Sequence, residues 1–240
     1  MGKTGPCGGN QKELQSIKPT HARTKQHIRL LSLHLWKGRR LHYKKTMDIK
    51  RICVYCASST QIAEEYFHAA RKAGQLIAQN GMDLVNGAGN MGLMAASADG
   101  CMEAGGKAIG IIPTFMVKEN WCHLGMTEII ETTDMHIRQE KMAEMSDAAL
   151  ILPGGCGTFA ELMELITWKQ LGIYLKPIVI LNTNGYFNPI LEMLQQAADQ
   201  HFMRQKHTEI WRVANTPEEA IELIMNTPLW DAGIRRFAAI

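Results

Sequence analysis

Residues 152 to 161 read LPGGCGTFAE, placing three glycines, a threonine and a glutamate between an apolar run of strand character, AALILP, and a run of helical period, FAELMELITWKQLG. A glycine turn that leads into a helix offers free backbone N–H groups to an anion, and the helix dipole favours negative charge there. The loop lacks the lysine and following Ser/Thr that reach the outer phosphates and magnesium in a P-loop, so the cradle suits one phosphate rather than a triphosphate. Thr158 and Glu161 have the spacing of a capping box, threonine as N-cap and glutamate at the third helical position. The same spacing sets a carboxylate one turn inside a helix whose mouth suits a phosphate, within reach of an attached sugar. The residues alone leave both roles open.

A second group precedes it. DMHIRQEKMAEMSD, residues 134–147, has helical period, with Met135, Met142 and Met145 expected on the buried side. Arg138 falls near the start of that helix, where a cation is poorly placed for the dipole, which hints at use elsewhere. His136 reads as structural or partly exposed. Cys156 has no evident histidine partner, which argues against a thiol nucleophile. Two further loops follow strands: CASST at 56–60, with Ser58, and NGAGNMGLM at 86–94, where Gly87, Gly89 and Gly92 spell the dinucleotide fingerprint. That fingerprint wants an acidic residue at the end of the next strand to hold ribose hydroxyls, but KAIGIIPTF ends in proline and threonine, so a nicotinamide cofactor is disfavoured.

These loops need elements to position them. Apolar runs at 50–56, 83–87, 107–112, 127–131, 148–152, 177–182 and 209–214 read as strands. Helical patterns lie between them at 63–80, 92–104, 135–146, 158–171 and 188–200, with a last at 217–226 opened by NTPEEA, a capping residue and a first-turn proline. Strict alternation predicts an α/β fold, a mostly parallel sheet with helices on both faces and ligands beyond the carboxyl ends of the strands. No internal repeat interrupts the pattern.

Length and charge set the bounds. The chain of 240 residues suits one substantial domain plus an appendage. Residues 1–46 hold eleven of the 26 Lys/Arg and one of the 23 acids, leaving 15 basic against 22 acidic residues beyond. The first 46 residues are therefore expected to form a basic, disordered extension, and residues 47–240 a single acidic domain, which argues against a nucleic-acid face there. No apolar run is long enough to cross a bilayer. Six scattered cysteines fit reduced thiols in a cytoplasm, and the CxxC of Cys53 and Cys56 falls inside a strand, where residues three apart point to opposite faces.

GAGNMGLM, MHIRQ and PGGCGTFAE, in that order, resemble the family often labelled lysine decarboxylase-like, whose characterised members are the cytokinin-activating "lonely guy" phosphoribohydrolases. The resemblance spans about residues 50–226, and its most specific part is the PGGxGTxxE signature with an arginine 23 residues before the glutamate. No lysine context suggests a pyridoxal Schiff base. The resemblance implies a Rossmann-like three-layer sandwich, a homodimer or higher homo-oligomer, and hydrolysis of the N-glycosidic bond of an N6-substituted adenosine 5′-monophosphate with no metal or cofactor. It assigns Arg138 and Glu161 as the catalytic pair and Gly154, Gly155, Gly157 and Thr158 as the 5′-phosphate loop. Thr167 matches a further substrate contact, and Ser58, Gly89, Asn120 and Gln139 complete the expected binding set. Three positions depart from the pattern: Gln139 stands for a lysine, Ala88 for a glycine, and Asn120, beside Glu119, for an acidic contact.

Overall fold

The computed structural model describes residues 48–237; the extension expected over residues 1–46 lies outside them. Seven strands alternate with helices: β1 (Arg51–Tyr55), α1 (Glu64–Gln79), β2 (Asp83–Asn86), α2 (Gly92–Glu103), β3 (Ala108–Pro113), α3 (Thr114–Lys118), β4 (Glu128–Thr132), α4 (Met135–Glu144), β5 (Ala148–Ile151), α5 (Cys156–Gln170), β6 (Ile178–Leu181), α6 (Asn188–Asp199), β7 (Arg212–Ala214) and α7 (Pro217–Asn226). All strand pairs are parallel, in the order β4-β3-β2-β1-β5-β6-β7. The expected Rossmann-like three-layer α/β sandwich is what forms. The short α3 was not anticipated. The last strand is shorter than its apolar run because residues Gln205–Glu209 wind into a 3-10 turn ahead of it.

Side chains alternate across the buried central strands. Ile52, Val54, Leu150 and Leu152 face a core shared with α1, α2 and α7, while Cys53, Tyr55, Ala149 and Ile151 face one shared with α4, α5 and α6. Cys53 and Cys56 thus enter opposite layers as buried thiols, and burial pushes Cys53 up to about 12 and Cys56 well above the ordinary thiol range, so the two do not form a redox pair. Each fully buried leucine or isoleucine of these layers contributes on the order of 2 kcal/mol. The final helix opens as its sequence reads, with Thr216 accepting from the Glu219 N–H at 3.2 Å and Pro217 in the first turn.

One consequence of the order matters for function. Successive crossovers carry the chain from β1 out to β4, and the chain then returns to pair β5 with β1, so the winding reverses between these two central strands. Loops leaving β1 and β5 turn toward opposite layers and leave a crevice at their carboxyl ends.

The α1–α2 contact has almost no side chain between backbones. A Cβ on Gly74 would lie 2.0 Å from the Ser97 carbonyl oxygen, and one on Gly100 would lie 2.2 Å from that of Arg71. Gly74→Ala is therefore expected to push two packed helices apart and destabilise the domain by about 3 kcal/mol, read as a lower urea midpoint with unchanged slope.

Candidate active site

The crevice between β1 and β5 holds a cavity of about 300 Å³ whose lining includes Ser58, Gly87, Arg138, Gly155, Gly157 and Glu161. Arg138 and Glu161 meet at its floor. The Arg138 Nη1 donates to Glu161 Oε1 at 3.0 Å and its Nε donates to the Ile111 carbonyl at 3.1 Å, with both side chains over nine-tenths buried. The poor dipole position of Arg138 in α4 is thereby explained, because its guanidinium serves the cavity. Asp134 supplies the helix with its N-cap instead, accepting from the N–H groups of His136 and Ile137. Gly87 makes the seat: a Cβ there would stand 1.8 Å from Arg138 Nη2. Burial pushes the Glu161 carboxyl above the usual carboxylate range, and the adjoining Arg138 charge holds back part of that rise.

The glycine loop corrects one expectation. Thr158 is not the N-cap, and Thr158 with Glu161 does not form a capping box. The first helical bond runs from the Phe159 N–H to the Gly155 carbonyl at 3.0 Å, so α5 begins one turn early, Gly155 is the N-cap, and no side chain caps the first turn. Thr158, now at the third helical position, is buried against Gly154, where a Cβ would fall 2.1 Å from the threonine hydroxyl. Glu161 is freed from the backbone and turns to Arg138. A Cβ on Gly155 or Gly157 would meet nothing within 4 Å, so both face open space with first-turn amides available to an anion.

The other glycine helix start is already occupied. Gly92 takes a left-handed φ of 65°, and the Ala57 carbonyl accepts from Leu93 N–H at 2.9 Å and Met94 N–H at 3.3 Å. The amides that would hold a pyrophosphate in a dinucleotide site are spent on the β1 loop, which accounts physically for the fingerprint's failure. Ala57 also donates its N–H to the Pro153 carbonyl at 3.1 Å, so one residue ties together three strand-end loops.

Of the remaining expected residues, Ser58 lines this cavity and also an adjoining recess of about 380 Å³ with Gly89, Met94, Met116 and Trp121. Gly154 is buried behind the loop. Thr167 is exposed nearly two turns past Glu161, its hydroxyl donating to the Met163 carbonyl at 2.7 Å, and does not line the cavity. Asn120 sits in an exposed left-handed turn with φ 62°, its carbonyl held by Asn90 Nδ2, and Gln139 is half-buried beside Arg138; neither lines the cavity. Among the methionines of α4, Met142 is buried and Met145 half-buried, but Met135 is exposed at the cavity rim. His136 is exposed, and so is Cys156, which lines the mouth. Tyr186 escaped the sequence reading altogether: its hydroxyl donates to the Gly154 carbonyl at 2.6 Å while its ring packs edge-on to Tyr66 and Phe187. The NGYFN turn that carries it offered only an aromatic after a glycine.

Residues 94–224 match the family described as "Possible lysine decarboxylase". A "Probable cytokinin riboside 5'-monophosphate phosphoribohydrolase" of Oryza sativa subsp. japonica is 39% identical over 173 residues, covering 72% of this chain and 71% of the relative. A "Cytokinin riboside 5'-monophosphate phosphoribohydrolase" of Arabidopsis thaliana is 38% identical over 173 residues, covering 72% and 76%. The chain belongs to this phosphoribohydrolase family. Among solved structures, the molybdenum cofactor binding protein from Rippkaea orientalis superposes with a TM-score of 0.57 at 25% identity, covering 75% of this chain and 97% of that one.

Within the family chain described here, Arg138 can hold its place only because residue 87 has no side chain. Gly87→Ala is expected to displace the guanidinium by about 1 Å or more and to lower turnover of a family substrate about a hundredfold with little change in melting temperature, as read by base release and thermal unfolding in parallel.

Proposed function

We propose that this protein hydrolyses the N-glycosidic bond of an N6-substituted adenosine 5′-monophosphate, giving the free base and ribose 5-phosphate. The observation that carries the reading is the buried Arg138–Glu161 pair beside an uncapped, glycine-led helix start in one cavity. Water attacks C1′ as the C1′–N9 bond breaks; the bonding electrons leave with the base, and the water's second proton ends on a base nitrogen. Positive charge that builds on the sugar is stabilised by the Glu161 carboxylate, which also orients the water. Arg138 offsets negative charge on the departing base. The first-turn amides of α5 anchor the 5′-phosphate, and that remote binding energy holds the sugar against the carboxylate.

The adjoining recess supports an apolar base substituent, since Met91, Met94, Met116 and Trp121 form its walls and it shares Ser58, Met94 and Met116 with the main cavity. Exposed Ile137, Leu171 and Ile173 support self-association as a homodimer or larger assembly, and the free cysteines of the described residues fit a reducing cytoplasm. The likeness to a cofactor-binding protein favours one second reading, a carrier that holds its nucleotide unchanged. A carrier has no need of a buried carboxylate at the sugar.

Incubation with isopentenyladenosine 5′-monophosphate and with AMP, followed chromatographically, decides between them. Base release by the native protein is expected, with Glu161→Gln at least about a hundredfold slower; tight binding without release by either form supports the carrier. The carboxylate form is the active one and its pKa is raised, so activity is lost as pH falls through that raised value. The acid limb of kcat/KM is therefore expected above the ordinary carboxylate value of about 4.3, and a limb at or below it counts against Glu161 as the ionised group. Trp121→Ala is expected to lower kcat/KM for the isopentenyl substrate about tenfold more than for AMP, measured side by side.

A further inference from the structure

The last turn of α5 carries a second unusual group. Lys169 is only 1% exposed, yet its ammonium reaches one acceptor, the Lys176 carbonyl at 2.6 Å. It lies 5.7 Å from the centre of the Trp230 ring and lines a cleft of about 550 Å³, the far end of the helix from Glu161. The helix dipole and one carbonyl account for part of what a buried ammonium needs, but two of its three N–H groups remain unspent. The indole N–H of Trp230, also buried, meets no acceptor among the described residues.

The charges around this cleft are unbalanced at its base. Among the described residues Arg212, from β7, is the charged group that acts on Lys169, and it has the same sign; burial and Arg212 together bring the Lys169 amine down to about 7. The Arg212 Nη1 is turned to the backbone carbonyls of Glu209 and Trp211 rather than to a carboxylate. Two acids line the cleft, but both are engaged at the rim. Glu209 pairs with exposed Lys206 at 2.6 Å, and Asp231 accepts from the Gly233 N–H at 2.8 Å. A buried lysine facing an arginine, with no carboxylate of the described residues paired to it, is a costly arrangement that an anionic ligand would relieve.

The geometry points to an oxyanion site in this cleft, where Lys169 and Arg212 bind the phosphate or carboxylate group of a small molecule and Trp230 closes one wall. The site is separate from the glycine loop and independent of the activity proposed above. Arrival of the anion favours the charged ammonium, so binding takes up a proton at pH above about 7 and tightens as pH falls through that value. Lys206, Glu209, Arg212 and Asp231 are the other charged groups facing the cleft, and His207, whose imidazole burial holds below its ordinary value, lies in the same 3-10 turn as Lys206 and Glu209.

The test uses the full-length protein labelled with 5-fluorotryptophan, with the Trp230 resonance assigned by Trp230→Phe and sulfate, whose own charge stays fixed between about pH 6 and pH 8, added at constant ionic strength. A saturable shift of that resonance is expected, about tenfold tighter near pH 6 than near pH 8, and absent in Lys169→Met while the other tryptophan signals keep native positions. An anion held by the glycine loop lies at the other end of α5, and its effect on the spectrum persists in Lys169→Met. No saturable shift at Trp230, an equal shift in Lys169→Met, or a shift common to every tryptophan overturns the proposal. Should Lys169→Met fail to fold, Arg212→Gln takes its place with the same expectations; phosphate and a carboxylate probe at one pH then show which oxyanion chemistry the cleft prefers.

Discussion

A guanidinium and a carboxylate have been taken out of water together at the centre of this fold, and the surrounding structure is arranged to make that tolerable. Removing one partner of such a pair leaves a buried charge and costs on the order of 3–5 kcal/mol. The requirement reaches into three layers: α4 delivers Arg138, α5 delivers Glu161, β3 contributes the Ile111 carbonyl, and the loop after β2 supplies a residue without a side chain at Gly87. Four segments remote in sequence thus meet at one ion pair.

The two glycine-led helix starts show how similar letters acquire different chemistry. At α2 the first amides close on the Ala57 carbonyl, so that helix end is part of the scaffold. At α5 neither a side chain nor a neighbouring loop caps the turn, and both outer glycines face open space. Whether a helix N-terminus binds an anion is thus settled by what the preceding strand's neighbour does with its carbonyls, a fact of topology rather than of local composition.

That distinction marks how far the residues could be read in order. The strands and long helices were legible because each has a clear period and the alternation admits few topologies. Arg138 and Glu161 were legible because a cation in a helix's first turns and a carboxylate after a glycine loop are both out of place for their local roles. The capping box misled because its letters are right, while the helix begins one turn earlier, at Gly155. Tyr186 and Ala57 could not be found at all. Their partners, Gly154, Pro153, Leu93 and Met94, are met through backbone atoms 32 to 96 positions away or across a strand crossover, and backbone contacts leave no mark on side-chain pattern.

The backbone of Ala57 has a consequence for motion. Its N–H holds the loop after β5 and its carbonyl holds the start of α2, so the carboxyl edge of the sheet cannot splay without breaking bonds on both sides of the winding reversal. The open side of the cavity is its outer rim, where Met135 and Cys156 are exposed, and local opening costs less there than at the Ala57 tie. Rigid floor and soft rim are divided along a line one residue wide.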